Sequence, residues 1–218
     1  MLSQYKTVYK GGEAEIIEKK SRFIATVCPV KSEEAALAFI ESMKKKYWNA
    51  THNCSAYVIG ERFQLQRCSD DGEPGGTAGK PMLDVLLGEE IHDVVVVVTR
   101  YFGGTLLGTG GLVRAYSGAT KAGLAASNII TKIHGRKLSI EADYTGLGKI
   151  QYILGQRGIT TLDSVYTDKV QLDVLLPDDS IDFVIAEITE GTNGQANMDL
   201  LEECYFADVD GRLQIFED

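Results

Sequence analysis

Residues 92–114 read HDVVVVVTRYFGGTLLGTGGLVR. Five consecutive valines, Val94 to Val98, leave no polar face, so His92 to Phe102 is expected to be a strand buried on both sides. The strand runs into Gly103-Gly104-Thr105-Leu106-Leu107-Gly108-Thr109-Gly110-Gly111, in which five of nine residues are glycine. A helix to about Ser127 follows. A strand, a glycine loop and a helix N-terminus in that order form a physical anion site, because backbone N–H groups can approach a ligand closely; the plainer reading is that the glycines let the helix pack tightly on the strand. Arg100 and Arg114 flank the loop and can add charge-assisted bonds to phosphate. The loop itself holds no Asp or Glu, so an external anion, or solvent, is the expected counter-charge for the two guanidinium groups. Dinucleotide and phosphate-loop fingerprints do not fit: the first needs Gly at 113, where Val113 stands, and the second needs Gly at 74 and Ser or Thr at 81, where Pro74 and Pro81 stand.

Upstream, Glu13–Lys19 and Ser21–Val30 read as strands and 32–47 as an amphipathic helix. Ser32 is its N-cap, Glu33 and Glu34 open it and Lys44, Lys45 and Lys46 close it. The basic run continues into Tyr47 and Trp48, which suits nucleic-acid stacking. The plainer reading places both rings in the core. Cys54–Ile59 and Arg62–Cys68 read as a hairpin, and a short helix covers roughly 80–88. Between them lies Ser69-Asp70-Asp71-Gly72-Glu73-Pro74-Gly75-Gly76-Thr77-Ala78-Gly79-Lys80-Pro81. Asp70, Asp71 and Glu73 can hold a hard cation or serve acid–base work, yet Asp, Gly and Pro are also simply turn residues. His52 and Cys54 sit two apart on a strand. Zinc would need four compatible ligands, and no partner is evident to orient a nucleophile pair.

The second half follows a β-α-β-β-α-β order. Its strands are Lys137–Asp143, Ile159–Tyr166, Lys169–Leu176 and Gln195–Phe206, and its helices are Thr145–Gln156 and Pro177–Glu190. Thr145 and Pro177-Asp178-Asp179 are the start signals, and Gly158 and Gly191 the stops. This order points to a ferredoxin-like split βαβ sandwich. Charge divides the chain at the same place. Residues 1–137 hold 18 Lys+Arg and 14 Asp+Glu, a net of +4, whereas residues 138–218 hold 4 and 17, a net of −13. Two domains are therefore expected, 1–135 basic and 136–218 acidic, with the boundary between Ile133 and Ser139.

A chain with 44% hydrophobic and 24% charged residues can bury a core without staples, which excludes general disorder. Its net charge of −9 argues against bulk binding to nucleic acid or anionic membrane. The longest apolar run is far short of a bilayer crossing, and Met1 to Lys6 carries no secretory h-region. The four cysteines, Cys28, Cys54, Cys68 and Cys204, form no Cys-x-x-Cys pair and read as reduced thiols. The location expected is cytoplasmic, with no membrane partner, no cofactor and no structural metal.

The segments His52–Tyr57, Asp70–Met82 and Thr99–Tyr116 resemble the IMPACT/YigZ family, over roughly residues 15–130, and the tail from about 138 resembles the small C-terminal domain of its bacterial members. The resemblance implies a first domain with the left-handed βαβ fold shared by small-subunit ribosomal protein five, elongation factor G and the GHMP kinases. It implies a ferredoxin-like second domain similar to the last domain of elongation factor G. Eukaryotic members regulate translation initiation under amino-acid starvation by competing for an activator of a stress kinase. They carry an N-terminal RWD domain that is not expected here, since the chain starts straight into the core. The expected fold is thus α+β. The expected function is non-catalytic binding to RNA, the ribosome or a translation factor. The expected contact face is Arg67, Lys80, Arg100, Gly103, Gly104, Gly108, Gly110, Gly111 and Arg114, with His52, Asp70, Asp71 and Glu73 as auxiliaries. One alternative is an enzyme acting on a phosphorylated small molecule, with magnesium on the acidic loop. The other is a protein–protein adaptor using the acidic domain. The enzyme and the RNA-binding readings separate according to whether the glycine loops converge on a closed pocket or an open groove.

Overall fold

A computed structural model describes residues 1–216. The class is α+β. The chain forms two compact units, Tyr5–Thr131, and Met1–Gln4 together with the chain from Lys132 onward.

The first unit is built on an antiparallel sheet. In chain order its elements are β1 (Gln4–Lys10), β2 (Glu13–Glu18), β3 (Ser21–Pro29), α1 (Glu33–Lys46), β4 (His52–Ile59), β5 (Leu65–Ser69), α2 (Gly79–Gly88), β6 (Ile91–His92), β7 (Val94–Tyr101) and α3 (Thr109–Ala125). The sheet order is β2-β3-β7-β4-β5, and β1 pairs in parallel with the short β6. The central β7 explains the valine run. Val94, Val96 and Val98 face one core with Met82 and Leu86 of α2 and Ala115, Tyr116 and Ala119 of α3. Val95 faces a second core with Ala36 of α1, Tyr57 and Ile59. Both faces are covered, so neither admits a polar residue. α1 starts as its sequence dictates, with Ser32 Oγ accepting the Ala35 N–H at 3.2 Å. The expected single strand from His92 is interrupted at Asp93, which adopts φ +55° and accepts the Gly60 N–H through its side chain at 2.8 Å.

The second unit contains most of β8 (Asn128–Ala142), then α4 (Tyr144–Gln156), β9 (Thr161–Tyr166), β10 (Val170–Pro177), a 3-10 turn (Asp178–Ser180), α5 (Ile181–Gly191), β11 (Asn197–Val209) and β12 (Arg212–Phe216). Its strands lie in the order β9-β10-β8-β11-β12, all antiparallel. The first four give the ferredoxin-like order, and β12 adds a hairpin at the edge. Leu138, Ile140, Leu172, Val174 and Leu176 pack against Ile150, Ile153 and Leu154 of α4 and Val184 and Ile188 of α5. α4 begins one residue earlier than expected, because Asp143 and not Thr145 caps it, accepting the Gly146 N–H at 2.8 Å. Two strands, β1 and β12, and the start of β8 were not expected from the sequence. Met1–Gln4 is tied into this unit: Ser3 O accepts the His134 N–H at 2.8 Å and Leu2 O accepts from Tyr205 Oη at 2.9 Å. Because the division falls before Lys132, the unit Tyr5–Thr131 holds 15 Lys+Arg and 14 Asp+Glu, a net of +1.

Candidate functional site

Asp70 organises the loop between β5 and α2. Its carboxylate accepts the N–H groups of Gly76 at 2.8 Å, Ala78 at 3.0 Å and Gly79 at 2.8 Å. Burial raises its pKa, but the three donors outweigh burial and hold the group below the usual carboxylate value. Asp71 faces the other way. Oδ2 accepts the Asn53 N–H at 2.6 Å, Oδ1 pairs with Lys44 at 2.9 Å, and its carbonyl meets His52 Nδ1 at 2.8 Å. Glu73, three residues on, turns inward. Its side chain is 3% exposed and its Oε1 accepts from Arg100 Nη1 at 2.6 Å and from Tyr116 Oη at 2.7 Å.

This corrects the account of Arg100. The counter-charge is not external: it is Glu73, supplied by the other glycine loop. The Arg100 side chain is 6% exposed and its guanidinium carbon lies 5.4 Å from the Phe23 ring and 5.6 Å from the Phe102 ring. Its Nη2 reaches Ser21 Oγ at 3.4 Å, and its Nε has no hydrogen-bond partner among the described residues. An ion pair so buried is tolerable only because both charges are matched and hydrogen-bonded. Cys54, fully buried beneath it, donates to Asp70 O at 3.0 Å, and burial pushes its thiol up to about 12, which makes it a poor nucleophile.

The second glycine loop joins β7 to α3. Gly103 is a packing residue, since a Cβ there would stand 2.0 Å from the Lys20 carbonyl carbon. Gly104 and Gly108 adopt φ +83° and +72° with open space around them. α3 then begins at Thr109 with no side-chain cap and no acidic residue in its first turn. Its first N–H groups therefore have no partner within the helix, at the positive end of its dipole. Arg114 is exposed, and its Nη1 lies 3.5 Å from where a Gly110 Cβ would stand.

The two loops meet at one open cleft of about 440 Å³. His52, Glu73 and Arg100 form its polar side, and Phe102, Leu106, Leu107 and Leu112 form apolar walls. Gly72, Gly108 and Thr109 also line it. Gly103, Gly104, Gly110, Gly111 and Arg114 lie in the same loop or in the first turns of α3. Arg67 and Lys80 are not brought in. Arg67 sits on the edge strand β5 opposite Tyr57, donating to Gln66 O at 3.1 Å, and Lys80 pairs with Asp84 one helical turn on. A larger depression of about 820 Å³ in the second unit, around His134, Lys137 and Cys204, holds none of the expected residues.

The acidic loop does not assemble into a cation site: Asp70 is taken by backbone donors, Asp71 by Asn53 and Lys44, and Glu73 by Arg100 and Tyr116. Among the described residues no group of three or more His, Cys, Asp or Glu is placed to hold a metal ion. The basic run of α1 is likewise paired, Lys44 with Asp71, Lys45 with Glu41 and Lys46 with Glu13. Trp48 is not in the core; it is 80% exposed. Thr51, Phe102 and Leu106, which line the cleft, and Tyr116, which holds Glu73, were not expected from the sequence. Tyr116 was findable, because Leu112, Ala115, Tyr116, Ala119 and Gly123 form the buried stripe of α3 at helical spacing.

Residues 19–124 match the Impact N-terminal domain and residues 140–195 match a domain of unknown function, DUF1949. The chain is 43% identical to IMPACT family member YvyE of Bacillus subtilis over 198 residues, 91% of each chain. It is 38% identical to IMPACT family member YigZ of Escherichia coli over 187 residues, 85% of this chain and 92% of that one. A solved structure described only as a hypothetical protein superposes with a TM-score of 0.59 at 35% identity, covering 93% of this chain and 99% of the other. Relatedness of this extent takes in the segments that build the cleft and the βαββαβ unit alike, and the chain belongs to the IMPACT family.

Proposed function

We propose that this IMPACT family protein is a non-catalytic binding protein that contacts RNA of the translation machinery through the cleft face of its first unit. One observation carries the reading. The uncapped N-terminus of α3, with no acid in its first turn, opens beside the cleft where the two glycine loops converge. That is where a phosphate is favoured, and Arg114 stands alongside to add a charge-assisted bond. Exposed Phe102 and Leu106 at the same rim offer a surface for an unstacked base. The translation setting follows from the family, whose eukaryotic members regulate initiation. Against the magnesium enzyme reading, Asp70 is engaged by backbone donors, Asp71 by Asn53 and Lys44, and Oε1 of Glu73 by Arg100 and Tyr116. Arg100 is not a direct phosphate contact in this reading, since Glu73 neutralises it.

Binding of a fluorescent single-stranded RNA is to be measured across salt concentrations for the parent and Arg114→Ala. The variant is expected to melt as the parent does and to lose about 0.7 of the logarithmic salt slope, the share of one phosphate on a single strand. Absence of RNA binding at low salt, or an unchanged slope in the variant, overturns the proposal.

A further inference from the structure

We infer that the cleft seats an unstacked guanine of a single-stranded RNA, with its Watson–Crick edge against Glu73 and His52; the inference rests on the RNA-binding reading above and gives that site a base preference.

The argument starts from hydrogen-bond polarity. His52 Nδ1 lies 2.8 Å from the Asp71 carbonyl oxygen. A carbonyl can only accept, so Nδ1 carries the proton, and in that tautomer Nε2 is an acceptor. Nε2 lies 3.8 Å from Glu73 Oε2. Glu73 Oε1 is committed to Arg100 and Tyr116, whereas Oε2 accepts no hydrogen bond among the described residues. Two acceptors thus stand side by side in the cleft, and the Arg100–Tyr116 contacts keep the carboxylate from rotating away.

Among the four bases only guanine has two adjacent donors, N1–H and the 2-amino group. Adenine and cytosine place an acceptor beside their amino group. Uracil flanks its single N3–H with two carbonyls, which two facing acceptors repel. The remainder of the cleft suits a planar group: Phe102, Leu106, Leu107 and Leu112 are apolar, and about 440 Å³ is within the usual range of small-ligand sites. Recognition of a splayed base by an aromatic face and by its Watson–Crick edge is the general mode for single-stranded RNA. The start of α3, a few residues away, is placed for the adjoining phosphate.

Five-nucleotide RNAs, uridine throughout except for guanosine, inosine, adenosine or uridine at the centre, are to be titrated against the full chain by fluorescence anisotropy at low salt. Guanosine is expected to bind about tenfold or more tighter than uridine, the range for a good bidentate pair. Inosine, which lacks the 2-amino group, falls between them. In His52→Ala the guanosine-to-uridine ratio shrinks, and Leu106→Asp, at an 83% exposed position, weakens the guanosine oligomer without changing the melt. Equal binding of all four oligomers by the parent overturns the base pocket and leaves RNA binding standing. Failure of all four to bind overturns the RNA reading and this inference with it.

Discussion

Glu73→Gln removes one charge from the buried pair and little else. Gln is nearly the same shape and its amide oxygen can still accept from Tyr116. What it leaves is a guanidinium whose side chain is 6% exposed, with Ser21 Oγ at 3.4 Å and two aromatic faces as its surroundings. Breaking a buried ion pair from one side costs about 3–5 kcal/mol, because the remaining charge is uncompensated. At about 2–4 °C per kcal/mol for a chain of this size, the melting temperature should fall by about 10 °C. Arg100→Met, which removes the other charge and keeps an apolar chain between Phe23 and Phe102, should be costly for the same reason. The double variant removes both charges and should recover much of the loss. The assay is urea unfolding of all four proteins as a double-mutant cycle, with a coupling of about 2 kcal/mol or more expected. If Glu73→Gln costs less than about 1 kcal/mol, or if the double variant loses the sum of the single losses, Arg100 is not held by Glu73 and the correction of its role is wrong.

Asp70 is held below the usual carboxylate pKa, so its stabilisation is present above the unfolded value near 4 and is lost as pH falls through the lower folded value; Asp70→Asn should be less stable at pH 7, and pH-dependent melts should show its gap to the parent closing below about pH 4. Cys54 is fully buried with its thiol pushed up to about 12 while Cys68 is exposed, so a disulfide reagent at pH 8 should label Cys68 in the native protein and Cys54 only after unfolding, as peptide mapping will read. Gly103→Ala should destabilise strongly, because its Cβ would collide with the Lys20 backbone; Gly110→Ala, in the first turn of α3 with only the Arg114 guanidinium near, should leave the melt unchanged or raise stability by up to about 1 kcal/mol, and the reverse order would show that the loop glycines are not divided between packing and access in this way.

The sequence by itself determined what depends on neighbours along the chain. The valine run demanded a strand covered on both faces. Ser32 with Glu33, Glu34 and the closing lysines demanded a helix. The βαββαβ order after residue 137 demanded a ferredoxin-like sheet. Each is written in periodicity, caps and turns within about fifteen residues, where a side chain's preference acts directly on its own backbone. Both glycine-rich loops could be singled out for the same reason. Only the tertiary structure decided what those loops do. Asp70, Asp71 and Glu73 stand within four residues yet point to three different sets of partners, because the turn sends their side chains in different directions. Glu73 meets Arg100 across 27 positions and Tyr116 across 43. A charge's partner is set by which strands lie side by side, and nothing local to Arg100 records it. The cleft is likewise a product of packing, made where the β5–α2 loop and the β7–α3 loop arrive at the same end of one sheet.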